Sequence, residues 1–538
     1  MGQFLCFGST GLLLVAQGLA GRLSAALGSA PFSPEATVAA SISRTLLTGA
    51  VALGLLSSPA VAAKSKKAPP ASAAQPLPLE ATAAALRDRA MSGDNLALDF
   101  TRELTTRFGP RPAGSPNEQA AAAWAAERLK ALGFENVQVQ DFPVTGWRRG
   151  EERAELITAQ GIRQPLVAVA LGHSPATPPE GVEAEVVLFD SLEALAAAPD
   201  GSLAGKIAMV DRRMVRMQDG SGYGPISRIR ALGPSVAAKK GAAAFLLRQA
   251  GTDNHRMGHT GTTRYVDGKV QIPCFAVTVP DADQIERLKA LGGPVRVKLF
   301  SSASYVTGTH SQNVIAEIRG REKPDEVVLL GAHLDSWDQG TGAIDDGTGD
   351  AIIMAAAKLI KDLPQRPRRT IRIVFYGSEE PSQPNPPGGA FGGNAYLQAH
   401  KDQVGLHVAA GESDFGADRI YSVNLPKGAQ GTDFAKAIER VLAPAKVLVT
   451  GNAAGEGGTD IGPTVEAGAP VFELNQDGSR YFDLHHTPDD TFDKIDPEQL
   501  SQNVAVWAAF VWMVADSDVD FRAMAAANPT PPTGRRRD

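Results

Sequence analysis

The run EVVLLGAHLDSWDQGTGAIDDG, residues 326–347, decides the fold. Glu326 to Gly331 has the length and Val/Leu content of a strand buried on both faces. It runs directly into Ala332-His333-Leu334-Asp335-Ser336 and then into a glycine-spaced turn carrying Asp345-Asp346. A helix is predicted from Gly349 to Leu363, with Ile352, Ile353, Ala356, Leu359, Ile360 and Leu363 forming one broad apolar face. Downstream the alternation continues with a strand from Thr370 to Gly377, a helix from Gly389 to His400 and a strand from Val404 to Ala410. This pattern predicts an α/β fold: a mixed, mostly parallel sheet covered by helices. In such sheets ligands bind at the carboxyl ends of the strands.

Those ends carry the chemistry. The strand from Thr370 is followed by Ser378-Glu379-Glu380, the strand from Val404 by Glu412-Ser413-Asp414, and the stretch from Tyr481 to Thr491 holds His485-His486. An adjacent acidic pair alone reads as a solvated turn, and a lone histidine as a surface or core residue. Convergence at successive strand ends changes that reading, because packed carboxylates repel one another unless a cation compensates them. Imidazole and carboxylate donors without thiolate suit Zn²⁺, with Mn²⁺ or Co²⁺ as alternatives. The chain has only two cysteines, Cys6 and Cys274, so zinc fingers and disulfide scaffolds are excluded. A phosphate loop and a G-x-S-x-G nucleophile elbow are both absent from the sequence. With 53 Lys+Arg against 59 Asp+Glu, the formal charge is -6, which argues against a nucleic-acid partner.

The His333-Leu334-Asp335-Ser336-Trp337-Asp338 run, the Gly342-to-Gly347 turn, Glu379-Glu380, Glu412-Ser413-Asp414 and His485-His486 together resemble the co-catalytic zinc exopeptidases, and within them the carboxypeptidase Q group. The resemblance extends over roughly residues 85 to 520. It implies two Zn²⁺ per chain: Asp345 as the carboxylate shared by both ions, Glu380 and His486 completing one site, His333 and Asp414 the other. It implies Glu379 as general base, a cis peptide after the bridging aspartate, and Asp335 as the residue orienting the His333 ring. It also implies a homodimer. Asp346, His485, Tyr481, Asp460 and His259 are candidates for supporting the ligands or touching substrate. Local packing explains His485 and Tyr481 equally well, and a glycine-rich turn explains Thr459-Asp460. His255 and His259 form H-x-x-x-H with Arg256 in second position, so the zincin helix motif is missing.

These residues predict a metallo-exopeptidase hydrolysing dipeptides or short unblocked peptides with Glu379 as base. An aminopeptidase of the same family, a one-zinc amidase or cyclase, and a peptide-binding ectodomain without activity are the alternatives. Around this centre the chain divides by texture. Residues 1–63 read as a leader and export signal, with Arg44, an apolar Leu46-to-Leu56 stretch and Ala60-Val61-Ala62 at the cleavage site, which places the protein in the periplasm or outside the cell. Residues 64–84 read as an Ala/Pro/Lys-rich linker, and 85–150 with 306–522 as the catalytic domain. Residues 151–305 read as an inserted β-rich cap resembling a protease-associated domain, and 523–538 as a disordered tail. No stretch after the signal reaches the ~18–20 apolar residues of a membrane helix.

Overall fold

The structure is a computed structural model that describes residues 77–528 apart from 267, 386, 454 and 456. The expected signal and leader, and the end of the expected tail, lie outside the described residues. The core is a five-stranded sheet of β1 (Glu135–Arg148), β2 (Ser304–Ile318), β3 (Lys323–His333), β4 (Arg369–Tyr376) and β5 (His407–Glu412), in the order β1-β2-β4-β3-β5. β3 pairs in parallel with both β4 and β5, whereas β1–β2 and β2–β4 are antiparallel. Two of the four pairings are parallel and two antiparallel, so the sheet is mixed, with β2 alone running against the other four strands.

Apolar faces cover both sides. On one side lie the helices Thr348–Lys361 and Pro497–Asp516, with Leu79–Met91, Ala97–Phe108 and Pro116–Ala131 beside them in one core. The other face packs Ile315, Leu329 and Val374 under Tyr396 of the Phe391–His400 helix and Ile461. The Leu79–Met91 helix starts inside the segment expected as a linker to residue 84, because Ala83, Leu86 and Ala90 find this core. Likewise the expected tail begins in a helix, Phe521–Ala527, held by buried Phe521 and capped by Asp520, whose carboxylate accepts the Ala523 N–H.

Register builds the rim. Across β3 and β4, His333 stands opposite Tyr376; across β3 and β5, Gly331 stands opposite Glu412. The segments leaving β3, β4 and β5 thus emerge side by side, bringing His333, Glu379-Glu380 and Asp414 to one edge.

Residues 152–301 form an eight-stranded sheet with its own apolar cores on its two faces. Its inner strands Val182–Phe189, Ile207–Val210, Ala244–Arg248 and Cys274–Val277 are parallel, and the helices Leu192–Ala197, Gly224–Lys239 and Val279–Ala290 connect or flank them. The region is therefore more helical than the two modest helices the sequence pattern gives. Among the described residues no helix is long and apolar enough to cross a membrane.

Candidate metal centre

Asp345 sits in the Ala343–Gly347 turn, where its own backbone and that of Asp346 are non-helical and the peptide bond between them is cis. The turn is fixed from behind. Arg111, fully buried, donates to the carbonyls of Leu334 (2.6 Å), Thr341 (2.7 Å), Gly342 (2.9 Å) and Gly109 (3.1 Å). Asp490 accepts the Ala343 and Ile344 N–H groups at 2.8 and 2.6 Å. The two oxygens of Asp346 accept the His333 and Gly349 N–H groups at 3.2 and 3.0 Å.

With the turn so held, each oxygen of Asp345 faces a different imidazole. Its Oδ1 lies 3.0 Å from His333 Nε2, and its Oδ2 lies 3.1 Å from His486 Nε2. On the outer sides, His333 Nε2 is 3.4 Å from Asp414 Oδ1 and His486 Nε2 is 3.0 Å from Glu380 Oε2. The two half-sites are those the sequence pairs together. Ligand atoms of His333, Asp345 and Glu380 also lie within 4.8 Å of one another, as do those of His333, Asp346 and Asp414, so the whole set is one contiguous donor cluster.

The electrostatics call for cations. Burial, followed by repulsion from Asp345 and Glu379, pushes the Glu380 carboxyl well above its ordinary range, and burial raises Asp414. Burial likewise takes Glu379 up to about 8, with Asp414 and Asp335 adding to it against the opposing pull of His333. Buried Asp345 Oδ2 and Glu380 Oε1 have no hydrogen-bond donor. Acceptors left without donors and carboxylates without counter-charge fit a site completed by divalent metal ions.

Asp335 makes two kinds of contact. The His333 ring is held through Nδ1 by the Asp335 carbonyl oxygen at 2.9 Å, while the carboxylate stays 3.8 Å from that nitrogen. The Asp335 carboxylate instead accepts the N–H groups of Glu379 (3.0 Å) and Glu380 (3.4 Å), so one residue sets both the imidazole and the Glu379-Glu380 turn.

A cavity of about 380 Å³ opens over the cluster, with Asp345, Glu379, Glu380, Asp414, Tyr481 and His485 among its walls. The Tyr481 hydroxyl lies 3.4 Å from Asp414 Oδ1. His259 does not line this cavity; it stands behind His485, its Nδ1 2.9 Å from the Thr260 carbonyl and its Nε2 3.2 Å from His485 Nδ1. That chain fixes the tautomers: His259 donates to the carbonyl and accepts from His485, leaving His485 Nε2 as an acceptor. Burial keeps both rings neutral by holding their pKa values well below the usual histidine value. His485 is thus suited to receive an N–H rather than to donate to an oxyanion. Asp460 is fully buried and accepts the Gly393 N–H at 3.3 Å, while its neighbour Thr459 lines the cavity.

Sequence reading passed over Arg111 and four cavity residues from the 152–301 region: Tyr223, Ser227, Arg230 and Thr262. Tyr223 stacks on Phe482 with ring centroids 4.2 Å apart, which joins that region to the His485-His486 loop. The available signal was a charge, Arg230, between the core positions Ile229 and Gly233.

Comparison with known proteins agrees with this geometry. The model of Peptidase family M28 matches residues 313–511. Carboxypeptidase Q of Mus musculus is 36% identical over 425 residues, covering 77% of this chain and 84% of that protein. The crystal structure of a peptidase M28 precursor from Shewanella amazonensis superposes with a TM-score of 0.78 at 44% identity, covering 84% of this chain and 99% of that one. A zinc aminopeptidase from Bacillus subtilis shares the fold at a TM-score of 0.53 and 20% identity, covering 82% of this chain and 97% of that one. The chain belongs to peptidase family M28 and is a metallo-exopeptidase, a hydrolase.

Proposed function

We propose that this chain is an exported exopeptidase that holds two zinc ions and hydrolyses dipeptides or short unblocked peptides. The observation that carries the reading is Asp345, whose two oxygens face His333 and His486 separately, with Asp414 and Glu380 beyond them. One carboxylate between two imidazole–carboxylate pairs is what a shared ligand of two cations requires. His333, Asp345 and Asp414 would hold one ion; His486, Asp345 and Glu380 the other. When bound, the ions supply Lewis acidity toward the scissile carbonyl and bring the pKa of the attacking water toward neutrality.

The chain's own groups do the rest. Glu379, held by its N–H on Asp335 and lining the cavity, takes a proton from the attacking water and passes it to the departing amine. Its neighbour Glu380 faces the metals while Glu379 faces the substrate, because consecutive side chains leaving a strand diverge. His485 Nε2 is positioned to accept an N–H of the peptide. On the same reading residues 41–63 are the export signal, the 152–301 sheet is an inserted protease-associated-like cap, and the protein is a homodimer. Relatedness to carboxypeptidase Q, whose name states a carboxypeptidase, supports dipeptide or C-terminal cleavage over an aminopeptidase role.

The test is a panel of free dipeptides, N-blocked dipeptides and internal peptides assayed with and without chelator. Release of free amino acids that chelation abolishes and zinc restores is expected. Turnover unaffected by chelator, or cleavage confined to internal bonds, contradicts the reading.

A further inference from the structure

Seven arginines are buried among the described residues, and six have an evident structural role. Five face a carboxylate, as Arg149 faces Asp338 and Arg372 faces Glu317, and Arg111 is wrapped by four carbonyl oxygens. Arg230 differs. It is 7% exposed, lines the cavity over the metal centre, and has no carboxylate within 4.0 Å among the described residues. Its partners are neutral: Nε donates to the Thr262 carbonyl at 3.2 Å, and Nη1 to the Tyr223 hydroxyl at 2.6 Å and the Thr260 carbonyl at 3.3 Å. Nη2 reaches only Ser227 Oγ, at 3.4 Å.

A buried guanidinium without a counter-ion is costly, and the cost is recovered when an anion arrives. The position is built for it. Thr260, which accepts from Arg230, donates its own N–H to the carbonyl of His486 at 3.0 Å, so the guanidinium is tied directly to the loop carrying a proposed metal ligand. Behind it, Gly261 has φ +135°, and a Cβ there would stand 2.2 Å from Arg230 Nη1. The other charged side chains lining the cavity are the carboxylates of Asp345, Glu379, Glu380 and Asp414. These are committed to the metals and the proton, and Arg230 is the cation left for the substrate.

We propose that Arg230 determines specificity by receiving the free α-carboxylate of a dipeptide or short peptide, which restricts cleavage to substrates with an unblocked C-terminus. The planar fork matches a carboxylate, and its Nη2 edge retains an uncommitted donor. The inference rests on the exopeptidase reading above and adds the polarity of the substrate to it.

The experiment compares alanylalanine with alanylalaninamide as substrates of the zinc-loaded protein and of Arg230→Gln, Arg230→Lys and Gly261→Ala. The wild type is expected to prefer the free acid by about 100-fold in kcat/KM, and Arg230→Gln to bring that acid-to-amide ratio down to about one. The loss should fall mainly on KM, with Arg230→Lys recovering part of it. Gly261→Ala, which crowds the guanidinium, should shift the acid-to-amide ratio in the same direction, and it carries the test if Arg230→Gln does not fold. Equal losses on both substrates overturn the proposal by showing a structural role. A wild type that cleaves the amide as well as the acid overturns it while leaving the exopeptidase reading intact. Absence of hydrolysis of any peptide by the zinc-loaded protein overturns both.

Discussion

As the proposed general base, Glu379 should control turnover without the metals depending on it. Glu379→Gln is expected to lower kcat by about 10³-fold while zinc content by elemental analysis stays at the wild-type level. Normal turnover in that variant would remove Glu379 from the reaction. Asp335→Ala should cost about 10–100-fold in zinc affinity or activity, because it frees the amides of Glu379 and Glu380 together; parallel zinc titration and kinetics read both. At this scale His333, Glu380 and Asp414 were legible as candidates because each lies at or just past an apolar strand, whereas His486 follows the short helix Tyr481–Leu484 and Asp345 sits in a glycine-spaced turn. Which group of Asp335 meets the imidazole was not legible, because it depends on the local path of the backbone. Arg230 was equally hidden, because its partners come from Tyr223, Thr260 and Thr262 and its importance lies in the carboxylate it lacks. The structure buries the Asp460 side chain and sets Thr459 in the cavity wall, a division within a glycine-rich loop that the residue pattern does not reveal.

The element that matters most is the turn from Thr341 to Gly347, which has little regular structure of its own and is held by Arg111 and Asp490. Arg111→Met leaves four carbonyl oxygens without that donor and should destabilise the fold by about 3 kcal/mol or more, measured by urea unfolding. A change under about 0.5 kcal/mol would show the turn to be fixed by other means. The strands β3, β4 and β5 were legible from their apolar runs, and the helix Thr348–Lys361 shows its apolar face directly, whereas the strand Ser304–Ile318 and the almost wholly buried helix Pro497–Asp516 were not read. Pairing was harder to see. β1 and β2 pair in antiparallel register across the whole 152–301 region, a separation too long for local pattern to report the pairing. Within that region, short fully buried strands such as Ile207–Val210 carry no alternation to reveal that they run parallel.

At the scale of the whole molecule, acid should act through buried neutral histidines that do not line the cavity over the metal centre. Burial holds His173 down to about 3 and His407 down to about 4, against 6.5 when unfolded. Between pH 6.5 and about 4 the unfolded chain binds protons that the native chain does not, so stability falls as pH falls and is fully present above 6.5. Thermal melts across that window should show a declining Tm, and His407→Gln should flatten the decline; an unchanged slope would assign the acid sensitivity elsewhere. Cys274, buried and with its thiol pushed up to about 12, should resist thiol reagents until the protein unfolds. The most direct test of the central claim is a zinc titration of the chelator-stripped protein, following bound metal and peptide hydrolysis in the same sample. The expected result is activity that is absent without metal and complete at two zinc ions per chain, with Asp345→Ala binding neither ion tightly. Full activity in the metal-free protein, or two tightly held ions in the Asp345→Ala variant, would contradict it.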